Sequence, residues 1–348
     1  MKYILALIIF AALTIPKISS ACDLCSIYFS LESHKTSQNT LRLGVSEQFT
    51  VFDTLQDEGA VIENELDQHL NSSITQIFAS YDLDREFSLQ TNIPLIYRSY
   101  KRVEENTIRK GSESGIGDIS LLVQYSAYRY KDESSTFSIQ TFAGVKIPTG
   151  DSSRLKEELE EQHNLEETTE ADTHEDDHQE IDSHSQNITR HGDVDHSIES
   201  AIHGHDLALG SGSWDFPVGI NLFAQKDRFF AAGSAQYVFR TEGKHSYKYD
   251  EDFNWSIAPA YYLVIDHGDT LAVMSNLSGE YKGNDRGKDN ITENGTSVRS
   301  VFLGPQIMLT LSDKINGIIG VDWPLDINNT GIQTVPTYRV RAGLTFRF

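Results

Sequence analysis

Residues 338–348 read Tyr338-Arg339-Val340-Arg341-Ala342-Gly343-Leu344-Thr345-Phe346-Arg347-Phe348. Every even position is apolar and every odd one is Arg, Gly or Thr, a strict period of two. In a β-strand successive side chains point to opposite faces, so one face here is wholly apolar and the other is polar with three arginines. A strand that closes a membrane barrel has this form, because one face meets lipid and the other a wet lumen. The segment also ends on the aromatic Phe348, through which we expect the barrel-assembly machinery to take up the chain.

The same alternation recurs upstream. Phe87, Leu89, Thr91, Ile93, Leu95 and Tyr97 share one phase, as do Phe137, Ile139, Ala143, Val145 and Ile147, and again Val301, Leu303, Pro305, Ile307, Leu309 and Leu311. A tilted spanning strand needs roughly 9–11 residues. Segments of that length fall at 41–52, 72–82, 85–99, 117–130, 136–148, 206–225, 228–241, 251–265, 270–283, 297–311, 315–327 and 334–348. The pattern predicts an all-β, antiparallel up-and-down transmembrane β-barrel of about 12 strands.

The connections sort by parity. Those at 82–84, 131–135, 225–228, 266–269 and 312–314 are short, and they alternate with long ones at 53–71, 100–116, 149–205, 242–250, 284–296 and 328–333. Short periplasmic turns and long extracellular loops are the asymmetry of a Gram-negative outer-membrane barrel, whereas a soluble sandwich has no reason to produce it. Aromatic residues gather near strand ends, as at Tyr97 and Tyr100, Tyr128 and Tyr130, Phe229 and Phe230, Tyr247 and Tyr249, and Tyr261 and Tyr262, where interfacial girdles are expected. Three residues break the pattern. Glu47 falls on the lipid face, and Pro217 and Pro259 lie inside strands that need every N–H.

The chain begins with Lys2, an apolar run from Tyr3 to Ile15, and Ser19-Ser20-Ala21, which is the pattern of a secretory signal peptide over residues 1–21. Export follows, with localisation in the outer membrane. Residues 22–40 are expected to form a periplasmic segment carrying Cys22 and Cys25, and 41–348 the barrel. The two cysteines of Cys-x-x-Cys can bind metal, close a disulfide or, at Cys22, carry a lipid, and the residues leave these alternatives open. No other cysteine occurs, so the barrel is held without disulfides.

The formal charge is −22, which excludes a nucleic-acid partner, since phosphates repel such a surface. Between Asp151 and Asp206 stand eighteen acidic residues against Arg154, Lys156 and Arg190, so this one stretch carries most of the excess. Eight of the 12 histidines lie there too: His163, His174, His178, His184, His191, His196, His203 and His205. Imidazole and carboxylate are ligands for Zn, Cu or Ni, and His174 with His178, or His203 with His205, can bring two nitrogens to one ion. The spacing does not repeat. The reading is therefore a disordered extracellular loop over 150–205 that either captures metal weakly or is merely solvated.

Three segments carry a family resemblance. Gly115-Ile116-Gly117-Asp118 with the strand to Tyr125, Gly144-Val145-Lys146-Ile147-Pro148-Thr149-Gly150-Asp151, and Leu209-Gly210-Ser211-Gly212-Ser213-Trp214-Asp215 together resemble the outer-membrane transporter-like β-barrel family named for the meta-pathway of phenol degradation. The resemblance implies a channel or ligand-translocating barrel for aromatic or other small hydrophobic molecules. The long His and acidic insertion between the second and third segments departs from it. On their own chemistry, the glycines permit sharp turns at the outer rim and the aspartates cap backbone amides.

The polar phase of the strands places Arg98, Asp118, Lys146, Asp215, Arg240, Glu280, Asp322, Arg339 and Arg341 in the lumen, a lining of both signs suited to small polar or zwitterionic solutes. Three functions follow: a channel or transporter for a small solute, a non-conducting metal-binding surface barrel, or an outer-membrane hydrolase. Hydrolysis needs a serine activated by a neighbouring histidine. Outside the long loop the only histidines are His34, His69, His245 and His267, none in such an arrangement, so the chain is read as not an enzyme. No cofactor is required.

Overall fold

A computed structural model describes residues 39–104, 107–158 and 200–348. The strands, in chain order, are β1 Leu41–Asp57, β2 Ala60–Ile62, β3 His69–Asp82, β4 Phe87–Glu104, β5 Thr107–Ile116, β6 Ile119–Lys131, β7 Ser135–Ile147, β8 Asp215–Lys226, β9 Phe229–Arg240, β10 Asp252–Asp266, β11 Asp269–Lys282, β12 Val298–Leu311, β13 Ile315–Asn329 and β14 Ile332–Arg347. A four-residue helix, α1, spans Gly204–Leu207. Among the described residues no helix is long and apolar enough to cross a membrane.

Each strand pairs antiparallel with its neighbour, and β14 returns to β1 in register from Arg42↔Arg347 to Asp57↔Ile332. The join ends in a reciprocal pair between Leu41 and Phe348, whose backbone N–H groups donate to each other's carbonyls at 3.3 and 2.9 Å. The result is a closed antiparallel barrel of 12 strands, with β2 and β5 as two extra strands at the outer rim. Closure is what lets a sheet cross a bilayer, since no edge is left with unpaired backbone groups in hydrocarbon.

The alternation read from the sequence becomes two faces of one wall. On β14, Leu344 and Phe346 point out while Arg339 and Arg341 are buried inside. On β4, Phe87, Leu89, Leu95 and Tyr97 are exposed, and Ser88 and Gln90 are buried. The periplasmic turns are tight. His267 and Gly268, both at positive φ (43° and 95°), form a two-residue hairpin between Asp266 and Asp269, a geometry that glycine suits because it lacks a Cβ.

Four expectations need correction. Strand β8 begins at Asp215, not at residue 206, and 206–214 turn into the barrel mouth instead. Of the 150–205 loop, residues 151–158 and 200–205 take up defined positions, because they find buried partners described below. The connection at 328–333 is a turn of two residues, Thr330 and Gly331, since β13 and β14 run on above the bilayer. The aromatic pairs at strand ends are not all girdle pairs: Tyr97, Tyr128, Tyr130, Phe229 and Tyr261 point outward, whereas Tyr100, Phe230, Tyr262 and Tyr247 are buried. Neighbours in a strand point opposite ways, so an aromatic dipeptide supplies one girdle residue and one interior residue.

The residues that broke the pattern have visible consequences. The β7–β8 ladder skips from Ala143↔Val218 to Lys146↔Asp215 around Pro217, and the β9–β10 register runs only from Ala258↔Ala232 to Tyr261↔Phe229, across Pro259. Glu47 does face outward. Its carboxylate accepts hydrogen bonds from Ser73, at 2.6 Å, and from Thr75, its direct cross-strand partner on β3.

Candidate functional site

The interior has three layers. Near the periplasmic end, neutral amides and hydroxyls fill one side: Gln124 donates to Gln90, Gln90 to Asn92 at 2.8 Å, and Ser88 to Gln124 at 3.1 Å. The other side is apolar, with Phe223, Phe230, Tyr262, Met274 and Met308 packed around small alanines. Neither lining was foreseen. The short polar residues and the inward aromatics carry no charge to mark them, although their phase along each strand would have assigned them to this face.

Above lies an ionic belt. All nine of the charged residues assigned to the lumen from the sequence point into the barrel, but eight are ion-paired and Arg98 donates to backbone carbonyls, rather than standing open to solute. Lys146 lies 2.7 Å from Asp215 and 3.7 Å from Asp118, and Arg240 links Asp215, at 2.9 Å, to Asp252. Arg339 grips both oxygens of Glu280 and lies over the Phe302 ring at 3.8 Å, while Arg341 pairs with Asp322. Removing charges from water is unfavourable unless each finds its opposite, and the fold places cations on β7, β9 and β14 near anions on β8, β10, β11 and β13 and at Asp118 just before β6.

The third layer is a plug made from the chain's own mouth segment. Its root is built from the three segments singled out in the sequence. The Asp118 carboxylate accepts from the backbone N–H of Gly150 at 3.0 Å and of Ser211 at 2.8 Å, and from the Ser211 hydroxyl at 2.9 Å. Thr149 donates its hydroxyl to the Gly117 carbonyl at 2.8 Å, and Leu209 and Gly210 donate to the Asp151 carbonyl at 2.9 and 3.1 Å. Gly150 and Gly210 touch along their backbones: a Cβ on Gly150 would sit 2.7 Å from the Gly210 Cα. The glycines therefore serve close approach between two passes of the chain as well as turning.

From that root, 200–208 cross the lumen. Ile202 and Leu207 are wholly buried against Leu70, Tyr100 and Phe52, and burying side chains of this size stabilises by about 1.5–3 kcal/mol each. Arg98 donates to the carbonyls of Asp206 and Ala208 at 2.5 and 2.6 Å, Tyr249 to that of His205 at 3.0 Å, and Thr334 N–H to that of Ala201 at 3.0 Å. The descending arm is clipped to the rim, where Arg154 bonds Glu113 and the Tyr100 hydroxyl, and Arg102 bonds Glu157. Tyr249, expected at an interfacial girdle, belongs to this seat, as do Lys282 at the end of β11 and Asp285 in the connection after it, which no charge pattern in the sequence marked. Tyr249 stacks under Arg240 at 5.4 Å and Lys282 at 5.0 Å.

His205 is buried, and its Nδ1 lies 3.0 Å from the Glu158 carboxylate, itself buried. Burial alone would push the imidazole down, but the Asp206 and Glu158 carboxylates outweigh it and hold it near a pKa of about 9. Burial likewise raises Glu158, and the opposing charge and hydrogen bond of His205 bring it down to about 2. His203 stacks on His205 with ring centroids 5.7 Å apart. Among the described residues no three His, Cys, Asp or Glu side chains are grouped to hold an ion. His163, His174, His178, His184, His191 and His196, with Cys22 and Cys25, lie outside the described residues.

Two cavities flank the plug tip. One, of about 270 Å³, is lined by Ile96, Leu122, Asp118, Lys146 and Arg240, and the other, of about 230 Å³, by Phe52, Leu70, Glu280, Val335 and Arg339. Arg98, His205, Tyr249 and Lys282 border both, so the tip is the partition between them.

No family model matches the chain, and no curated protein matches it. Solved structures do. The crystal structure of an outer-membrane channel from Pseudomonas putida F1 superposes with a TM-score of 0.59 at 14% identity, covering 90% of this chain and 97% of that one. The β domain of a Bordetella autotransporter aligns at 0.42 and 9% identity over 89% and 100% of the two chains. A translocator domain of an autotransporter from Neisseria meningitidis gives 0.38 and 8% over 92% and 93%. At such identities the likeness is one of fold, and the first of these carries it. With its lipid-facing wall and its closure, the chain is an outer-membrane β-barrel.

Proposed function

We propose that the protein is an outer-membrane channel for a small solute, gated by the 200–214 plug. The observation that carries this reading is the interior itself: a closed barrel with a lower lumen polar on one side and apolar on the other, a paired ionic belt, and two cavities separated by the 200–208 segment of the same chain. A barrel serving as a plain anchor has no use for cavities beside a hydrogen-bonded partition. The channel fold of the Pseudomonas putida structure supports the same reading, and so does the resemblance of the three plug-root segments to the meta-pathway family. That resemblance adds the expectation of aromatic or other small hydrophobic solutes, in keeping with the apolar patch around Phe223 and Met308. Liposome swelling and single-channel recording with the purified barrel test it. Swelling in small neutral sugars is expected; neither current nor solute flux, with or without the plug deleted, would overturn it.

A second reading rests on the density of histidines and carboxylates between His163 and Glu199, which favours weak capture of Zn, Cu or Ni above the pore, either feeding the channel or acting without conduction. Calorimetry of the whole barrel against one lacking 163–199 tests it, and equal heats for both would remove it.

A further inference from the structure

Building on the channel reading, we propose that a small neutral, apolar solute leaves the barrel sideways, from the cavity lined by Ile96 and Leu122 into the bilayer, through a seam between β9 and β10. The paired register of these strands runs from Tyr261↔Phe229 to Ala258↔Ala232 and stops there. Above it, β9 stays paired to β8 up to Arg240, and β10 to β11 up to Asp252. The β7–β8 ladder also skips around a proline but resumes at Lys146↔Asp215, whereas the β9–β10 ladder does not resume. The β13–β14 register stops too, at Asp322↔Arg339, where those strands run on above the bilayer. Two side-chain contacts span the β9–β10 seam instead of a ladder: Ser234 and Ser256 share a hydrogen bond at 2.8 Å, and Arg240 Nε donates to Asp252 at 3.0 Å. Breaking a backbone ladder in hydrocarbon is costly, so strands that share none part more easily than those that do.

The seam lies within the membrane. Phe229, Ala231, Gly233, Ala235, Tyr237 and Phe239 form the outward phase of β9. At about 3.3 Å per residue and a tilt of about 40°, such a stretch rises about 25 Å, the height of the apolar band. On the lipid side the β9 edge carries only the small Gly233 and Ala235, while Trp255 of β10 lies over Gly279 of β11, where a Cβ would strike the indole. Just below, Ala231 and Pro259 face a groove of about 670 Å³ bordered by Phe229, Tyr261 and Val273. On the inner side, Gln236, Val238 and Arg240 of β9 and Asp252 of β10 line the cavity of about 270 Å³. An inner cavity, an unladdered stretch of wall and an outer groove thus meet on the same two strands.

The cavity suits a solute that such a route can carry. Lys146 is matched by Asp118 and Asp215, Arg240 by Asp215 and Asp252, and Lys282 by Asp285, so these charges answer one another. Beside them Ile74, Pro94, Ile96, Leu122, Pro217 and Val238 offer an apolar surface. An apolar cavity of about 150 Å³ accepts benzene, so about 270 Å³ holds one or two rings. A neutral apolar molecule passes from here into hydrocarbon without penalty, whereas an ion would have to leave its partners and its water behind.

The test staples the seam. Hydroxyl oxygens 2.8 Å apart on neighbouring strands leave Ser234 and Ser256 within reach of a disulfide. The full chain carries Ser234→Cys with Ser256→Cys, and Cys22→Ser with Cys25→Ser so that no other thiol competes. The readout is entry of naphthylamine, a neutral dye whose fluorescence rises in lipid, into cells with an intact outer membrane. The oxidised pair should slow entry to the rate of cells lacking the protein, and a reductant should restore the native rate. Single-channel conductance of the purified variant should be the same oxidised and reduced. Entry at the native rate in the oxidised form, or a native rate no higher than that of cells lacking the protein, would overturn the proposal. Should the stapled chain not assemble, hydrogen exchange in the unaltered barrel decides: amides of 233–240 and 252–257 should exchange faster than those of 271–277, which are paired on both sides, and equal protection would overturn it. A barrel that passes neutral sugars while dye entry ignores the staple loses this inference and keeps the channel reading. One whose dye entry follows the staple but which passes neither sugar nor current keeps the lateral exit and loses the axial channel.

Discussion

Asp118 and Ser211 stand 93 residues apart, yet the carboxylate of one accepts both the N–H and the hydroxyl of the other, at 2.8 and 2.9 Å. The same carboxylate holds Gly150, so a single side chain just before β6 ties together the end of β7 and the return of the plug. Asp118→Ala leaves the Gly150 and Ser211 N–H groups buried without this acceptor, at about 1–3 kcal/mol for each, while the Ser211 hydroxyl keeps the Asp215 carboxylate at 3.2 Å. The barrel should still assemble, because its wall is untouched. Single-channel conductance and protease cleavage within 200–214 should both rise; unchanged values in both would show that the plug does not hang from Asp118.

Close backbone passage makes a second prediction. A Cβ at Gly150 would lie 2.6 Å from the Leu209 carbonyl oxygen, whereas at Gly233 the nearest atom is the Ser256 carbonyl at 3.5 Å. Gly150→Ala should therefore loosen the plug and raise conductance, while Gly233→Ala behaves as the native protein. Equal conductance in the two variants would remove the steric argument.

The His205–Glu158 contact makes seating of the plug depend on pH. His205 sits above its ordinary 6.5, near about 9, so its contribution is complete below pH 6.5 and is lost as pH rises through about 9. Glu158 sits below its ordinary 4.5, near about 2, so its contribution is complete above pH 4.5 and is lost as pH falls through about 2. The groups that set this balance are Asp206, Glu158, His203 and Lys282. Conductance should be lowest between pH 4.5 and 6.5 and climb on the alkaline side, and His205→Gln should flatten that climb. A native barrel with no alkaline rise would contradict the assignment.

Glu47 offers a test of the lipid-facing wall. Acidic groups on that face are destabilising by less than the ~2–4 kcal/mol of a basic one at the bilayer midplane, and Ser73 and Thr75 offset part of this. Glu47→Leu should raise the urea midpoint for unfolding from vesicles, by about 1 kcal/mol in stability. The double change Ser73→Ala with Thr75→Val, keeping Glu47, should lower it. If Glu47→Leu instead loosens the barrel, the carboxylate has a partner in the membrane that favours it.

Much of the wall was legible because its physics is local. Alternation at Tyr338–Phe348 and Phe87–Tyr97 reports which side chains meet lipid, and the tight turn at His267-Gly268 reports its own backbone. The lumen charges at Asp215, Asp322 and Arg341 were assigned by the same phase. What phase does not tell is whether a charge meets solute or another charge. Tyr247, adjacent in type to a girdle residue, proves buried with its hydroxyl on Asp285 at 2.8 Å.

The sequence by itself determined strands that face lipid on one side and water on the other, since period-two patterning depends only on neighbours along the strand. The tertiary structure alone decided that 206–214 leave the wall to fill the mouth, and that Arg98, Asp118 and Tyr249 converge on 205–211. Those contacts join residues 44 to 110 positions apart, and only closure of the sheet brings strands from opposite ends of the chain around one space.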